Sequence, residues 1–272
     1  MACREVLSGV KVEDVMKPCS IFVAPNDLVT KARAVMRSTG LKSLPVIDAG
    51  RLSGIVTIKE VLQVTSTRSN IAVSGIMSPY RLVATPEMSL VNLARQMVGH
   101  EVSDVPVVKG PNDMTVVGLV RLDDVLAQIS GRISPERRVG EVMVTDVVTC
   151  EPEDEISKIW DLMEKTNCSG LPVVRYDKRR RSRQVLGMIT RSDIIRSGTV
   201  RLSEESDKGR FKSPPRVKSV MRTPAIVVSP QTPLPAAIDL MLEKKIGRLA
   251  VVSEGDLVGI LSRSDIVRFA CG

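Results

Sequence analysis

Four places in the sequence set a hydroxyl or a cation three residues ahead of an acid at the end of an apolar run: Thr57 and Glu60, Arg121 and Asp124, Thr190 and Asp193, Ser262 and Asp265. A Thr or Ser where a strand passes into a helix leaves a hydroxyl and several unpaired backbone N–H groups facing outward, and helix N-termini bind phosphate for that reason. An Asp in the first helical turn adds an acceptor pair suited to the two hydroxyls of a ribose. Hydroxyl, amides and carboxylate together read a nucleoside phosphate. The same Thr-x-x-acid pattern is also a capping box, which stabilises the helix and binds nothing. Thr57-Ile-Lys-Glu60 carries Glu, the usual capping-box acid, and is read as a cap. Arg121 takes the place of the hydroxyl, so half the constellation is lost there. Thr190-Arg-Ser-Asp193 and Ser262-Arg-Ser-Asp265 keep both groups. Asp is short and is expected to reach back poorly to close a box, which leaves its carboxylate for a ligand.

These patterns end four copies of one unit. Each copy opens on a Val-rich lead into Met: Val12-Glu-Asp-Val-Met16, Val73-Ser-Gly-Ile-Met77, Val139-Gly-Glu-Val-Met143 and Val217-Lys-Ser-Val-Met221. Twenty-nine residues after each Met comes the Pro or Ala of an apolar stretch: Leu44-Pro45-Val46-Ile47, Val105-Pro106-Val107-Val108, Leu171-Pro172-Val173-Val174 and Leu249-Ala250-Val251-Val252. A second apolar stretch brings Gly54, Gly118, Gly187 or Gly259, and the acid follows six residues later. Only the interval from the Pro position to the Gly varies, at 9, 12, 15 and 9 residues. Fixed spacing with variation at one place marks a hairpin loop of changeable length, where insertions cost little. Self-similarity of this kind is the signature of a repeat architecture.

Periodicity gives each copy the order β-α-β-β-α. A short extended run after the Met, such as Ala225–Val228, is closed by Pro230. An amphipathic helix follows, with Ile156, Ile159, Trp160 and Met163 at helical spacing in the third copy. Two β-branched runs then pair as a hairpin, and a second helix starts at the hydroxyl-x-x-acid position. Copies of about 60 residues are marginal by themselves, so they should pair. Thr65–Ala72 joins copies one and two, and Ile129–Arg138 joins two and three. The polar stretch Ser197–Arg216 between three and four reads as an exposed excursion.

Of 272 residues 43% are apolar and only 2% aromatic, so the core must be built from Val, Ile, Leu, Met and Ala. No apolar run reaches the roughly 18–20 residues of a membrane helix, and the N-terminus has no signal-peptide pattern. A cytoplasmic protein that does not engage a membrane is expected. The five cysteines are scattered and fit neither a zinc site nor a redox pair. Cys150 and Cys168 read as small buried hydrophobes. His100, the only histidine, has no ligand pattern around it, so no metal is expected. The net charge of +8 owes much to the run Lys178-Arg179-Arg180-Arg181-Ser182-Arg183 in the variable hairpin of copy three. Such a run is usually solvated, although it suits a polyanion or an acidic protein. No P-loop or catalytic triad spacing occurs, and the repeats consume the chain, so no catalytic residue and no enzyme is expected.

The Val-Met lead, the Leu-Pro-Val-Val strand and the Gly-apolar-apolar-Thr/Ser-x-x-Asp ending resemble the CBS domain, with repeats at residues 10–66, 71–130, 137–198 and 215–272. The four-copy arrangement is similar to the gamma subunit of AMP-activated protein kinase and to stand-alone prokaryotic and archaeal CBS proteins. The resemblance implies an α/β fold of four repeats forming two paired (Bateman) modules, stacked as a disc with pseudo-two-fold symmetry. It also implies clefts for adenosyl ligands: AMP, ADP or ATP, with S-adenosylmethionine as a further candidate. The residues it assigns to nucleotide binding are Thr190, Asp193, Met188, Gly170, Arg248, Ser262, Asp265 and Ile260. Arg248 stands where the other copies carry Ser43, Asp104 and Gly170. By the match to the gamma subunit it faces phosphate held beside copy three; by itself it reads equally as a solvated surface Arg. The expected function is a nucleotide sensor acting on a regulated protein, with a homodimer among its assemblies. The rival is a nucleic-acid or protein-interaction scaffold working through the basic loop 178–183.

Overall fold

The computed structural model describes residues 6–41, 43–64, 70–179, 181–197 and 215–272. The chain divides into two compact units, Met1–Ser134 with Arg263–Gly272, and Pro135–Ser262. In the first unit, copy one supplies α1 (Val29–Thr39), β1 (Ser43–Asp48), β2 (Arg51–Thr57) and α2 (Ile58–Gln63). Copy two repeats the order with α3 (Leu90–Gly99), β3 (Asp104–Gly110), β4 (Asp113–Arg121) and α4 (Leu122–Ser130). In the second unit, copy three gives α5 (Ile156–Lys165), β5 (Gly170–Asp177), β6 (Ser182–Thr190) and α6 (Arg191–Ser197). Copy four gives β7 (Val227–Val228), α7 (Leu234–Glu243), β8 (Arg248–Ser253) and β9 (Asp256–Ser262). Its last helix, α8 (Arg263–Cys271), belongs to the first unit and packs against α3 and α4. There Arg95 Nε donates to the Cys271 carbonyl at 2.6 Å, and Arg263 meets Asp123 at 2.7 Å.

The apolar periodicity is used as expected. Ile156, Ile159 and Met163 are buried along α5, with Trp160 half-buried beside them. Among the described residues the buried apolar core holds Val, Leu, Ile, Met, Ala and Cys and no aromatic side chain. Strands β1, β3 and β5 bury consecutive residues, as strands covered on both faces do. The expected first strand of each copy shrinks to less than a strand in three of the four. Val227–Val228 pairs in parallel with β8, whereas Val23, Ala84 and Cys150 make single parallel bridges to Val46, Val107 and Val173.

The Val-Met lead and the strand Gly are two halves of one joint. Each lead leaves its own copy and crosses to the neighbour. Val12 N–H donates to the Met88 carbonyl at 2.9 Å and Val73 N–H to Asp27 at 2.7 Å; in the second unit Val139 reaches Thr232 at 3.0 Å and Val217 reaches Asp154 at 2.9 Å. The residue after the Met then bridges the neighbour's second hairpin strand: Lys17 to Leu119, Ser78 to Ile55, Val144 to Ile260 and Arg222 to Met188. A Cβ on Gly54, Gly118, Gly187 or Gly259 would come within 2.9, 3.1, 2.5 and 2.7 Å of an atom of that crossing segment, either its backbone oxygen or the Met sulfur. Only glycine lets the two backbones approach so closely. Copies one and two are locked reciprocally in this way, and so are copies three and four.

Candidate functional site

Four of the residues expected to bind ligand meet inside the second unit. Strands β5 and β6 pair antiparallel, which sets Gly170 opposite Thr190 and Pro172 opposite Met188. Thr190 ends β6, and α6 begins with the next residue, so Asp193 lies in the first turn. Arg248 opens β8, and a Cβ on Gly170 would stand 3.0 Å from Thr190 Cγ2 and 3.2 Å from Arg248 Nη1. The absence of a side chain at Gly170 thus makes room for the Arg248 guanidinium beside the Thr190 junction.

The Asp193 carboxylate is not left open, contrary to the expectation that Asp reaches back poorly. Its Oδ2 accepts the Thr190 N–H at 3.1 Å and the Thr190 hydroxyl at 2.5 Å, and its own N–H donates to Thr190 Oγ1 at 3.2 Å. Asp124 likewise accepts the Arg121 N–H at 2.9 Å, and Glu60 accepts the Thr57 N–H at 2.8 Å. In these three copies the extended residue before the helix turns its N–H toward the first turn, and a carboxylate three residues on reaches it whether it is Asp or Glu. Acid length therefore does not separate binding copies from capping ones.

A second feature is absent from the sequence-based assignment. Arg222, the residue after Met221, donates from Nε to Asp193 Oδ1 at 2.6 Å, while Asp193 is only 5% exposed. Lys17, the residue after Met16, makes the matching ion pair with Asp124 in the first unit. Ser78 takes that position toward Glu60, at 3.4 Å. The signal was present in the sequence: four leads end identically in Met and are followed by Lys17, Ser78, Val144 and Arg222. Without the crossing of the leads, nothing connects that variable residue to an acid in another copy.

Met188 lies opposite Pro172 in the same hairpin, and the other three assigned residues belong to copy four. Ser262 ends β9 opposite Arg248, and Ile260 bridges Val144, a valine 42% exposed. Asp265 falls in the first unit, where Arg268 Nη1 donates to it at 3.0 Å. In the first unit Ser43 Oγ donates to Asp104 Oδ2 at 3.2 Å, and Arg121 Nε stands 3.9 Å from Asp104. Arg191 of copy three turns to the Trp160 ring, 5.9 Å from its centroid, and to the Met163 carbonyl at 2.8 Å.

The basic run lies at the tip of the β5–β6 hairpin. Lys178, Arg179 and Arg181 are exposed there, and Arg180 is outside the described residues. Arg183 is not free: its N–H donates to Asp256 at 2.5 Å and its Nη2 to the Leu257 carbonyl at 2.6 Å, so solvation does not describe the whole run. Most of the expected polar excursion, residues 198–214, is likewise outside the described residues. Burial pushes the Cys150 thiol up to about 12, in keeping with an inert core residue. Among the described residues no cluster of acids, His and Cys fits a metal ion, and no helix is long and apolar enough to cross a membrane.

The repeats match the family model of the CBS domain at residues 12–66, 73–131, 139–198 and 217–272, and the chain belongs to that family. Its sequence is 26% identical to the protein MJ1404 of Methanocaldococcus jannaschii over 270 residues, covering 95% of this chain and 61% of that one. It is 30% identical to the inosine-5'-monophosphate dehydrogenase of Korarchaeum cryptofilum over 131 residues, which is 48% of this chain and 24% of the enzyme. The chain thus spans three fifths of the first relative and a quarter of the second. Its fold is similar to the crystal structure of MJ1225 from M. jannaschii, a proposed archaeal homologue of γ-AMPK, with TM-score 0.81, 19% identity and coverage of 96% and 99%.

Proposed function

We propose that the chain is a regulatory adenine-nucleotide-binding protein, and that its ligand sits at the β6–α6 junction of copy three. The observation that carries this reading is the convergence of Thr190, Asp193, Gly170 and Arg248 inside one unit. Membership of the CBS family supports the adenosyl part of it. In this reading Asp193 takes the ribose hydroxyls, Met188 lies along the base, and the phosphate goes to Arg248. A helix of seven residues such as α6 offers only a weak dipole, so phosphate recognition rests on cationic side chains. Binding at one unit would bias the packing read by a partner protein, as a ligand that favours one state must.

The test is calorimetric titration with AMP, ATP and S-adenosylmethionine on the parent, Asp193→Asn and Asp124→Asn. Asn can still accept the cap N–H, so the helix start survives while the charge is lost. Losing a hydrogen bond from a charged group costs about 1.5–3 kcal/mol, so Asp193→Asn should weaken binding roughly 10- to 100-fold. Asp124→Asn should leave it within about twofold, well under the tenfold that 1.4 kcal/mol represents. Equal losses from both, or none from either, would remove the ligand from this junction.

A further inference from the structure

Arg222 stands on the acid that the proposed ligand needs. Both Asp193 oxygens are engaged, Oδ2 by Thr190 and Oδ1 by Arg222. The Arg222 backbone is held in the crossing lead: its N–H donates to the Met188 carbonyl at 2.8 Å and its carbonyl accepts the Met188 N–H at 2.9 Å. Thr223 Oγ1 adds a bond to the Leu186 carbonyl at 3.0 Å. The Arg222 side chain, 48% exposed, has room to swing while its backbone stays. Lys17 on Asp124 repeats the arrangement from the same place in another copy.

A ribose that takes Asp193 displaces the guanidinium from a nearly buried carboxylate. A neutral nucleoside gives the displaced cation nothing in return, and a sulfonium ligand adds a like charge. A phosphate on the same ribose offers a replacement anion, for which guanidinium is well matched. From this geometry we infer that Arg222 is a specificity-determining residue, which makes the Asp193 junction select nucleoside phosphates over uncharged or sulfonium adenosyl ligands. The inference rests on the ligand reading proposed above and adds to it the residue that selects a phosphate-bearing ligand over a neutral or sulfonium one.

The experiment compares AMP, adenosine and S-adenosylmethionine by calorimetry on the parent, Arg222→Ala and Arg222→Lys. The alanine variant should lose about tenfold in its preference for AMP over adenosine, the size of one charge-assisted bond. Its affinity for adenosine should hold or rise, because the lock on Asp193 is gone. The lysine variant, which keeps a cation, should recover most of the preference and guards against a folding defect in the alanine variant. An unchanged ratio, or equal losses for AMP and adenosine, overturns the role of Arg222 and leaves the junction standing. A parent that binds neither AMP nor adenosine overturns the junction itself, and this inference with it.

Discussion

At the first residue of each copy's hairpin, the first unit carries Ser43 and Asp104 and the second carries Gly170 and Arg248, opposite Thr57, Arg121, Thr190 and Ser262 in the same register. In the first unit the two positions bond to each other, Ser43 to Asp104, with Arg121 close by. An anion arriving there meets a carboxylate. In the second unit Gly170 withdraws its side chain and the Arg248 guanidinium occupies the space. The helix acids make a smaller distinction, since Asp124 and Asp193 each accept the N–H three residues back and each is paired with a cation from a lead. A common backbone thus carries the same acid in both units, and under the proposed ligand reading the charge at the strand start sets which of the two suits a phosphate.

The comparison breaks most directly by exchanging that charge. Arg248→Asp gives the second unit the residue of the first. It removes a charge-assisted contact worth about 1.5–3 kcal/mol and adds a repulsion, so AMP affinity should fall by more than about 100-fold. Adenosine should lose far less. Asp104→Ala in the first unit should leave AMP affinity unchanged in the same titration. A loss from Asp104→Ala as large as that from Arg248→Asp would mean that both strand starts hold ligand.

The crossing leads sharpen the comparison through stability. A Cβ on Gly187 would lie 2.5 Å from the Arg222 carbonyl oxygen, whereas one on Gly118 would lie 3.1 Å from that of Lys17 and 3.1 Å from Met16 Sδ. Both crossing residues are held by a reciprocal pair of ladder bonds, so the shorter approach at Gly187 demands the larger backbone shift. Gly187→Ala should cost about 1–3 kcal/mol in urea unfolding, the range for overpacking a fitted contact. Gly118→Ala should cost less. A reversed order would show that the leads are looser in the second unit than their hydrogen bonds imply.

The four copies, the hairpin with its changeable loop, the helix of Ile156, Ile159 and Met163 and the aliphatic core were all legible in the sequence, because each is a local period or a fixed spacing. Two things were not. The need for Gly54, Gly118, Gly187 and Gly259 comes from a Met segment in another copy, and no local pattern announces it. Arg222 reaches Asp193 for the same reason, since 29 residues and a crossing separate them. The shortness of Asp does not free its carboxylate, because a strand that runs straight into a helix brings the N–H to the acid. The resemblance assigns Arg248 a phosphate beside copy three; the structure sets its guanidinium next to Gly170, where a side chain would crowd it.

The smallest effects are expected at the basic hairpin, and they separate its residues from one another. Strand β6 runs from Ser182 to Thr190, so at roughly 3.3 Å per residue the tip lies on the order of 25 Å along the strand from the Thr190 junction. Screening over that distance leaves little electrostatic influence at physiological salt. Arg179→Ser and Arg181→Ser should therefore change neither AMP affinity nor stability, because both side chains are exposed. Arg183→Ser differs, since it removes the Nη2 bond to the Leu257 carbonyl while keeping the backbone bond to Asp256. It should cost about 1 kcal/mol of stability and leave AMP affinity within about twofold. Filter binding of single-stranded RNA at low and high salt completes the test on the same three variants. Loss of a salt-sensitive RNA affinity from Arg179→Ser and Arg181→Ser would make the tip a working surface in its own right. A marked fall in AMP affinity would instead bring the hairpin over the ligand, which the length of β6 argues against.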